Sequence, residues 1–223
     1  MSYHPDSQML QAYVEGTLDA VTAFTVAIHL EACPHCNRQV AMIEQQCGQA
    51  LFSLDVENET SSDPLAEMFD DIVALEQNNE PFRLPQQPKL IVVNDKSFML
   101  PRAISRFSSD IGDWKSYGGK VFSAPVDISD SCRVNLMYIA EDVQIPQHTH
   151  KGIESTLILH GGFSDEDGHY EAGDYLVKDA SIKHSPFTQK GEDCLCLTVL
   201  TEPMIFTQGV ARLFNRFGKG LYP

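Results

Sequence analysis

The pattern of apolar and polar positions changes about a third of the way along the chain. Up to about residue 80, apolar residues recur at helical spacing and predict four short amphipathic helices. Asp19 is suited to cap the second helix, and Pro34 is suited to begin the third. Four short helices form a small bundle that needs added stability from a metal or a partner.

Beyond about residue 90 the pattern changes to short β-rich runs separated by Gly, Pro and Asp. The predicted strands are 90–93, 120–128, 133–140, 154–160, 174–178 and 195–201. Many short strands at this spacing are typical of a barrel or jelly roll. The intervening residues 81–89 are polar and hold three prolines, so they predict a linker.

The predicted fold is therefore α+β with more than one domain. A small bundle of about four helices occupies residues 1–80, and the linker occupies 81–89. A β-barrel or jelly roll with a C-terminal tail occupies 90–223.

Charge is distributed unevenly between these two parts. Residues 1–80 carry fourteen acidic side chains and one basic one, Arg38, whereas residues 81–223 carry seventeen and fifteen. The net charge is thus −13 for residues 1–80 and −2 for residues 81–223, which gives −15 for the whole chain. Such a field repels nucleic acid and favours a basic protein partner, although an acidic surface also serves solubility alone. We expect no direct binding of nucleic acid.

The sequence predicts a cytoplasmic protein without a membrane segment. No basic flank precedes an apolar run near residue 1, and no stretch approaches the ~18 apolar residues that span a bilayer. The six cysteines include two close pairs near histidines. In a chain of this length such pairs favour metal or redox ligands over disulfides. The oligomeric state stays open.

His29, Cys33 and Cys36 form a first candidate metal site. His29 and Cys33 are one turn apart on the second predicted helix, and Cys36 follows three residues later. Zinc prefers imidazole and thiolate ligands in a closed tetrahedron, so a fourth ligand is needed. The candidates are His4, favoured by its place just before the first helix, Asp6 and His35. The alternatives for the two cysteines are a redox pair, for which the βαβ context is absent, and core packing.

A second candidate site lies in the β-rich part. His148 and His150 point to one side of a strand, and Glu154 follows across a turn into the same interior. With His184 they offer three imidazoles and one carboxylate, a set that suits Zn, Fe, Mn or Ni. The alternative is a set of histidines satisfied by hydrogen bonds inside a barrel without metal.

Cys194 and Cys196 alternate on the last long predicted strand, so both face one side of it. If that side is the interior, their sulfur atoms lie near the second site and offer an oxidisable, redox-sensing group. Two small core residues are the alternative.

These motifs resemble two known families. His4 and the run His29-Leu-Glu-Ala-Cys33-Pro-His-Cys36 resemble the zinc-binding anti-sigma domain of regulators of bacterial group IV (extracytoplasmic function, ECF) sigma factors. The pattern HxHx3Ex6G from His148 to Gly161, followed by Gly173 ahead of His184, resembles the two cupin motifs.

The chain departs from the cupin pattern at two turns. Asp142 stands where a glycine is expected six positions before His148, and Asp179-Ala-Ser181 stands in place of Pro-x-Gly. These departures concern turn geometry rather than ligands.

An anti-sigma domain followed by a cupin resembles the ChrR type of zinc-binding anti-sigma factor, over nearly the whole chain up to about residue 202. The resemblance implies a helical bundle that sequesters an ECF sigma factor and a cupin β-barrel that triggers release under oxidative stress, either singlet oxygen or organic peroxide. It implies zinc in both sites. We expect no catalysis, because the sequence offers no separate general base, nucleophile or phosphate-binding loop beyond the residues assigned to metal. The implied ligands are His4, His29, Cys33 and Cys36 in the first site and His148, His150, Glu154 and His184 in the second. The alternative is a dioxygenase-like cupin metalloenzyme with a helical appendage, since three His and one Glu also hold catalytic iron.

Overall fold

The structure, a computed structural model, describes residues 1–53, 64–75, 89–213 and 215. By contacts among its residues the chain divides into two compact units, Met1–Ile43 with Gln86–Pro223, and Glu44–Pro85. Of the predicted linker, only Lys89 lies within the described residues. No helix in the described ranges is both long and apolar enough to cross a bilayer.

The predicted helices are present in the described residues. The helices are Ser7–Val14 (α1), Ala20–Ala32 (α2), Pro34–Phe52 (α3), Pro64–Ala74 (α4) and Arg102–Arg106 (α5). The Asp19 carboxylate caps α2 by accepting hydrogen bonds from the backbone N–H groups of Val21 and Thr22. Pro34 begins α3, as predicted. The five-residue α5 was not predicted because it is too short to show a helical period.

Each predicted strand has a counterpart in the structure, together with shorter strands that were not predicted. The strands are Leu90–Val93 (β1), Lys96–Met99 (β2), Lys115–Tyr117 (β3), Val121–Pro125 (β4), Arg133–Ile139 (β5), Val143–Gln144 (β6), His148–His150 (β7), Glu154–Asp165 (β8), Gly168–Glu171 (β9), Tyr175–Lys178 (β10), Phe187–Thr188 (β11), Cys194–Leu200 (β12) and Met204–Phe206 (β13). Each of the missed strands has only two to four residues, too few for an alternating pattern to show.

The strands form a curled antiparallel sheet in the order β3-β4-β5-β12-β8-β11-β6, with β9 and β10 also paired to β8. The strand β12 lies between β5 and β8, and all seven of its residues are buried. The strands β13 and β7 pair separately, as do β1 and β2. The predicted α+β layout, helices followed by a barrel-like antiparallel sheet, is confirmed.

Helix α2 packs on this sheet and shares its core. Val21 and Ile28 of α2 belong to one buried cluster with Leu136, Leu157 and Leu197 of the sheet. Burial of such side chains stabilises a fold by roughly 1.5–3 kcal/mol each. Residues 1–43 and the sheet therefore stabilise one another.

Polar contacts join the same two parts. The Glu31 carboxylate near the end of α2 accepts hydrogen bonds from the backbone N–H groups of Arg102 and Ala103, at 2.9 and 2.7 Å. The first N–H groups of a helix have no acceptor within the helix. The Glu31 side chain of α2 therefore caps α5, which lies in the β-rich part of the chain.

Candidate metal centres

The first centre brings together His4, His29, Cys33 and Cys36, whose ligand atoms all lie within 4.8 Å of one another. His29 lies in the last turn of α2, Cys33 follows that helix, and Cys36 lies in the first turn of α3. Three of the four are buried, and His4 is half-buried. The sharp turn between the two helices, with Pro34 as the first residue of α3, places both cysteines next to His29.

The separations of these atoms fit a tetrahedral ion. The His29 Nε2 atom is 3.3 Å from the Cys36 sulfur, and the His4 Nδ1 atom is 3.4 and 3.5 Å from the Cys33 and Cys36 sulfurs. Zinc bonds of about 2.0–2.1 Å to nitrogen and 2.3 Å to sulfur imply nitrogen–sulfur separations of about 3.5 Å in a tetrahedron. Burial and the neighbouring Cys33 raise the pKa of Cys36 to about 12, so without a cation the Cys36 sulfur stays a thiol. A bound cation would favour the thiolates that this donor set supplies.

The other two candidates for the fourth ligand lie outside this group. The Asp6 carboxylate accepts a hydrogen bond from the Met9 N–H and so caps α1. His35 is exposed, and its Nε2 atom lies 3.0 Å from the Gln39 amide. The geometry therefore favours His4.

The sheet orients the first centre through His29. The His29 Nδ1–H donates a hydrogen bond of 2.8 Å to the carbonyl oxygen of Gly173, which directs Nε2 toward the cysteines. Such a contact to the far nitrogen fixes the tautomer and the ring plane of a metal-ligating histidine. Burial lowers the pKa of His29, which keeps the imidazole neutral, the form that binds metal.

Asp174 fixes the segment that carries His4. Its carboxylate is fully buried and accepts hydrogen bonds from the backbone N–H groups of Ser2, Tyr3 and Glu171, at 2.6, 3.1 and 2.9 Å. The Tyr3 carbonyl in turn accepts a hydrogen bond from the Tyr175 N–H. Both residues that follow the second cupin-like glycine, Asp174 and Tyr175, therefore hold the chain just before His4. Sequence reasoning missed this role of Asp174.

The second centre brings together His148, His150, Glu154 and His184, all of them buried, with ligand atoms within 4.8 Å of one another. The His150 Nε2 atom is 3.0 Å from Glu154 Oε2 and 3.5 Å from His184 Nε2. The His184 Nε2 atom is 3.7 Å from the same carboxylate oxygen. Ligand atoms bonded to one ion at about 2.0–2.2 Å lie about 3.0–3.6 Å from one another. The observed distances between ligand atoms therefore fit a bound metal ion.

Burial sets the protonation of this group. Desolvation, aided by the neighbouring His184, lowers the pKa of His148 to about 4. Burial also opposes ionisation of Glu154, but the hydrogen bond from His150 and the charges of His150, His148 and His184 together keep the pKa of that carboxyl below its usual value. Neutral imidazole and ionised carboxylate are the forms that bind a metal.

Contacts outside the ligand set orient two of these histidines. The His148 Nδ1–H donates to the Pro146 carbonyl at 2.9 Å, and His184 Nδ1 lies 3.1 Å from the Asp165 carboxylate. Asp165 also pairs with Lys178, at 2.9 Å. Burial opposes the charge of Asp165, but these partners hold its pKa far below the usual range. Asp165 was missed from the sequence because it lies at the end of β8, outside both cupin-like motifs.

At the two positions where the sequence departs from the cupin pattern, other residues form the turns. Asp142 has a positive φ of 56°, the left-handed conformation for which a glycine is expected and which Asp tolerates better than most residues. The Asp179 carboxylate accepts hydrogen bonds from the N–H and the hydroxyl of Ser181 and so closes a local turn.

Cys194 and Cys196 are both buried, and Cys196 lines a small cavity together with His148, Glu154 and His184. The contact with Cys196, followed by burial, raises the pKa of Cys194 well above its usual value. Both sulfur atoms thus lie in the barrel interior. Cys194 is a thiol at neutral pH, which is less easily oxidised than a thiolate.

The fold and the two centres define a class of protein: a helical Cys/His candidate metal site packed on an antiparallel barrel that holds a second, His/Glu candidate site. Residues 7–37 match the family described as a putative zinc-finger, and residues 113–203 match the family described as the ChrR cupin-like domain. The zinc-finger match covers three of the four residues of the first centre and supports zinc there.

Two relatives match nearly the whole chain. The chain is 28% identical over 217 residues to the anti-sigma-E factor ChrR of Cereibacter sphaeroides, covering 96% of this chain and 97% of the relative. It is also similar to a chain in the crystal structure of Rhodobacter sphaeroides SigE in complex with the anti-sigma ChrR. That match has 26% identity and a TM-score of 0.65, and covers 89% of this chain and 98% of the other. The resemblance to ChrR-type zinc-binding anti-sigma factors is confirmed.

We predict that Cys36→Ser lowers the zinc content of the purified protein by about one ion per chain, because one thiolate of the tetrahedron is lost. Cys47→Ser is the matched control, since Cys47 lies on the same helix and is exposed. Zinc is measured by elemental analysis after dialysis. Equal zinc content in the two variants would exclude Cys36 as a ligand.

We predict that Asp174→Asn speeds the transfer of zinc from the first centre to a chelator by about tenfold. Loss of a hydrogen bond that supports a metal ligand typically changes metal affinity about 10–100-fold. The amide cannot accept all three backbone hydrogen bonds, so residues 2–4 loosen. Asp113→Asn serves as the control because Asp113 is exposed. Transfer to a colorimetric chelator gives the rates. The role assigned to Asp174 would be refuted by equal rates for wild type and Asp174→Asn.

Proposed function

We propose that the chain is a cytoplasmic anti-sigma factor that sequesters a group IV (ECF) sigma factor. The observation that carries the proposal is similarity along 96% of the chain to an anti-sigma factor. The matching chain in the SigE complex, which covers 89% of this chain, supports the same partner class. Similarity of this extent supports a regulator rather than a cupin metalloenzyme with a helical appendage.

The surface that meets the sigma factor includes α4. Phe69, Ile72 and Val73 on this helix are 64%, 57% and 63% exposed, although large apolar residues on a helix usually face a core. Asp70 and Asp71 lie between them and are exposed too. An apolar helix with acidic flanks suits a groove on a basic partner, and the charge of −13 over residues 1–80 would speed the encounter.

The first centre is proposed to hold zinc as a structural ion. The second is proposed to hold zinc as well, with Fe, Mn and Ni as the alternatives that its ligands allow. The barrel acts as the sensor, and its signal is oxidative: singlet oxygen or organic peroxide. Cys194 and Cys196 are the proposed redox-sensing residues, with Cys196 beside the second centre.

A continuous set of contacts supports communication from sensor to helices. His184 contacts Asp165, Asp165 pairs with Lys178, and Lys178 ends β10. Gly173 lies two residues before the start of β10, and its carbonyl group orients His29. A change at the second centre that shifts β10 would therefore alter the first centre and the helices around it.

We expect Val73→Glu to weaken sigma binding at least about tenfold, because it places a charge in the centre of an apolar contact. Val92→Glu on β1 is the control, since Val92 is 62% exposed and receives the same change. The partner is found by co-expression with candidate group IV sigma factors of the source genome, and the affinities are measured by calorimetry. If both variants bind like wild type, α4 is not part of the interface.

We expect His148→Ala to retain the sigma factor but to lose its release under oxidant, because the second centre lacks one ligand while α4 is unchanged. His169→Ala is the control, since His169 belongs to neither centre. The readout is a sigma-dependent reporter with and without singlet oxygen or organic hydroperoxide. Normal induction in His148→Ala would remove the sensor role from the barrel, whereas constant high output would show that the variant cannot hold sigma.

A further inference from the structure

We propose that the barrel binds a medium-chain monocarboxylate of the fatty-acid type, with its carboxylate at Lys120 and its chain directed inward. The site is a cavity of about 590 Å³ beside the second metal centre. The inference stands on the barrel alone and does not depend on the anti-sigma function.

The lining of the cavity changes from polar to apolar. Its exposed residues include Ser116, Lys120 and Gln144. Its half-buried and buried lining is mainly apolar and consists of Tyr117, Val121, Met137, Val143, Ile145, Met204, Phe206 and Ala211, of which Tyr117 carries a hydroxyl. A pocket of 300–1,000 Å³ with mainly apolar walls and few polar groups is typical of small-molecule sites.

The apolar end continues toward the second centre. Met137, Ile145 and Met204 also line a smaller cavity of about 50 Å³, together with His148, Glu154 and His184. That volume is only about twice the ~30 Å³ of a water molecule, so it admits one or two heavy atoms and no bulky group. A narrow, flexible chain therefore fits the two cavities better than a ring system does.

The charge of the polar end selects the head group. The Lys120 Nζ atom lies 3.5 Å from the Asp142 carbonyl oxygen, a neutral acceptor. Its ammonium is thus free of any ion pair among the described residues and can donate to a carboxylate. Because Lys120 is exposed, this contact adds modest affinity, and most of the affinity comes from the buried chain.

The same arrangement would place the end of the chain near Cys196, which lines the smaller cavity. The thioethers of Met137 and Met204 adapt readily to chains of different length and curvature. The site thus fits a class of acyl chains rather than one rigid molecule.

The test is a titration of the full-length, zinc-loaded protein with decanoate, observed by NMR of methionine methyl groups labelled with ¹³C. Saturable shifts are expected at Met137 and Met204 but not at Met42 and Met99, which are exposed elsewhere. Acetate, which has the head group without the chain, should give no saturable shift. Shifts of equal size at all four methionines would show detergent-like adsorption and would overturn the proposal, as would the absence of saturation.

Three variants distinguish the contribution of the acyl chain to binding from that of the carboxylate head group. Val143→Glu should weaken decanoate binding at least about tenfold because it charges the apolar wall, whereas Val92→Glu should leave it unchanged. Lys120→Ala should weaken decanoate about two- to tenfold and leave 1-decanol unaffected. Equal weakening of decanoate and decanol by Lys120→Ala would overturn the assigned orientation, and wild-type binding by Val143→Glu would overturn the site.

Discussion

The hydrogen bond from His29 to the Gly173 carbonyl is the interaction on which the arrangement of the molecule depends. It joins a candidate zinc ligand on α2 to the residue that precedes Asp174 and β10 in the barrel. Gly173 has a positive φ of 96°, a conformation that side chains other than glycine rarely adopt, so the backbone conformation favours glycine there. The candidate metal site of the helices is therefore built partly from the barrel and not from the helices alone.

This shared construction gives the two centres a common support. The strand β10 pairs with β8 so that Lys178 lies opposite Glu154, a candidate ligand of the second centre. The other end of β10 lies two residues from Gly173 and the first centre. Two candidate metal sites near opposite ends of one short strand suggest a physical route by which a change in the barrel would reach the helices.

Much of the fold and of both centres was predictable because local chemistry encodes them. Capping residues and helical spacing located α1 to α4, and the spacing of His, Cys and Glu located both ligand sets. The supporting residues were not predictable in this way. Asp165, Asp174 and the Gly173 carbonyl act through contacts between segments distant in sequence, and a backbone carbonyl leaves no side-chain signature. The ligand roles themselves and the division into residues 1–80, 81–89 and 90–223 stay predictions.

The most direct test of the account is hydrogen exchange along α2 in His184→Ala, measured by mass spectrometry of the full-length protein against wild type. Loss of His184 removes a partner of Asp165 and a ligand of the second centre. If β10 carries the change, the amides of Ala20–Ala32 will exchange faster in the variant, although the substitution lies in the barrel. Faster exchange confined to the barrel, with α2 protected as in wild type, would contradict the account.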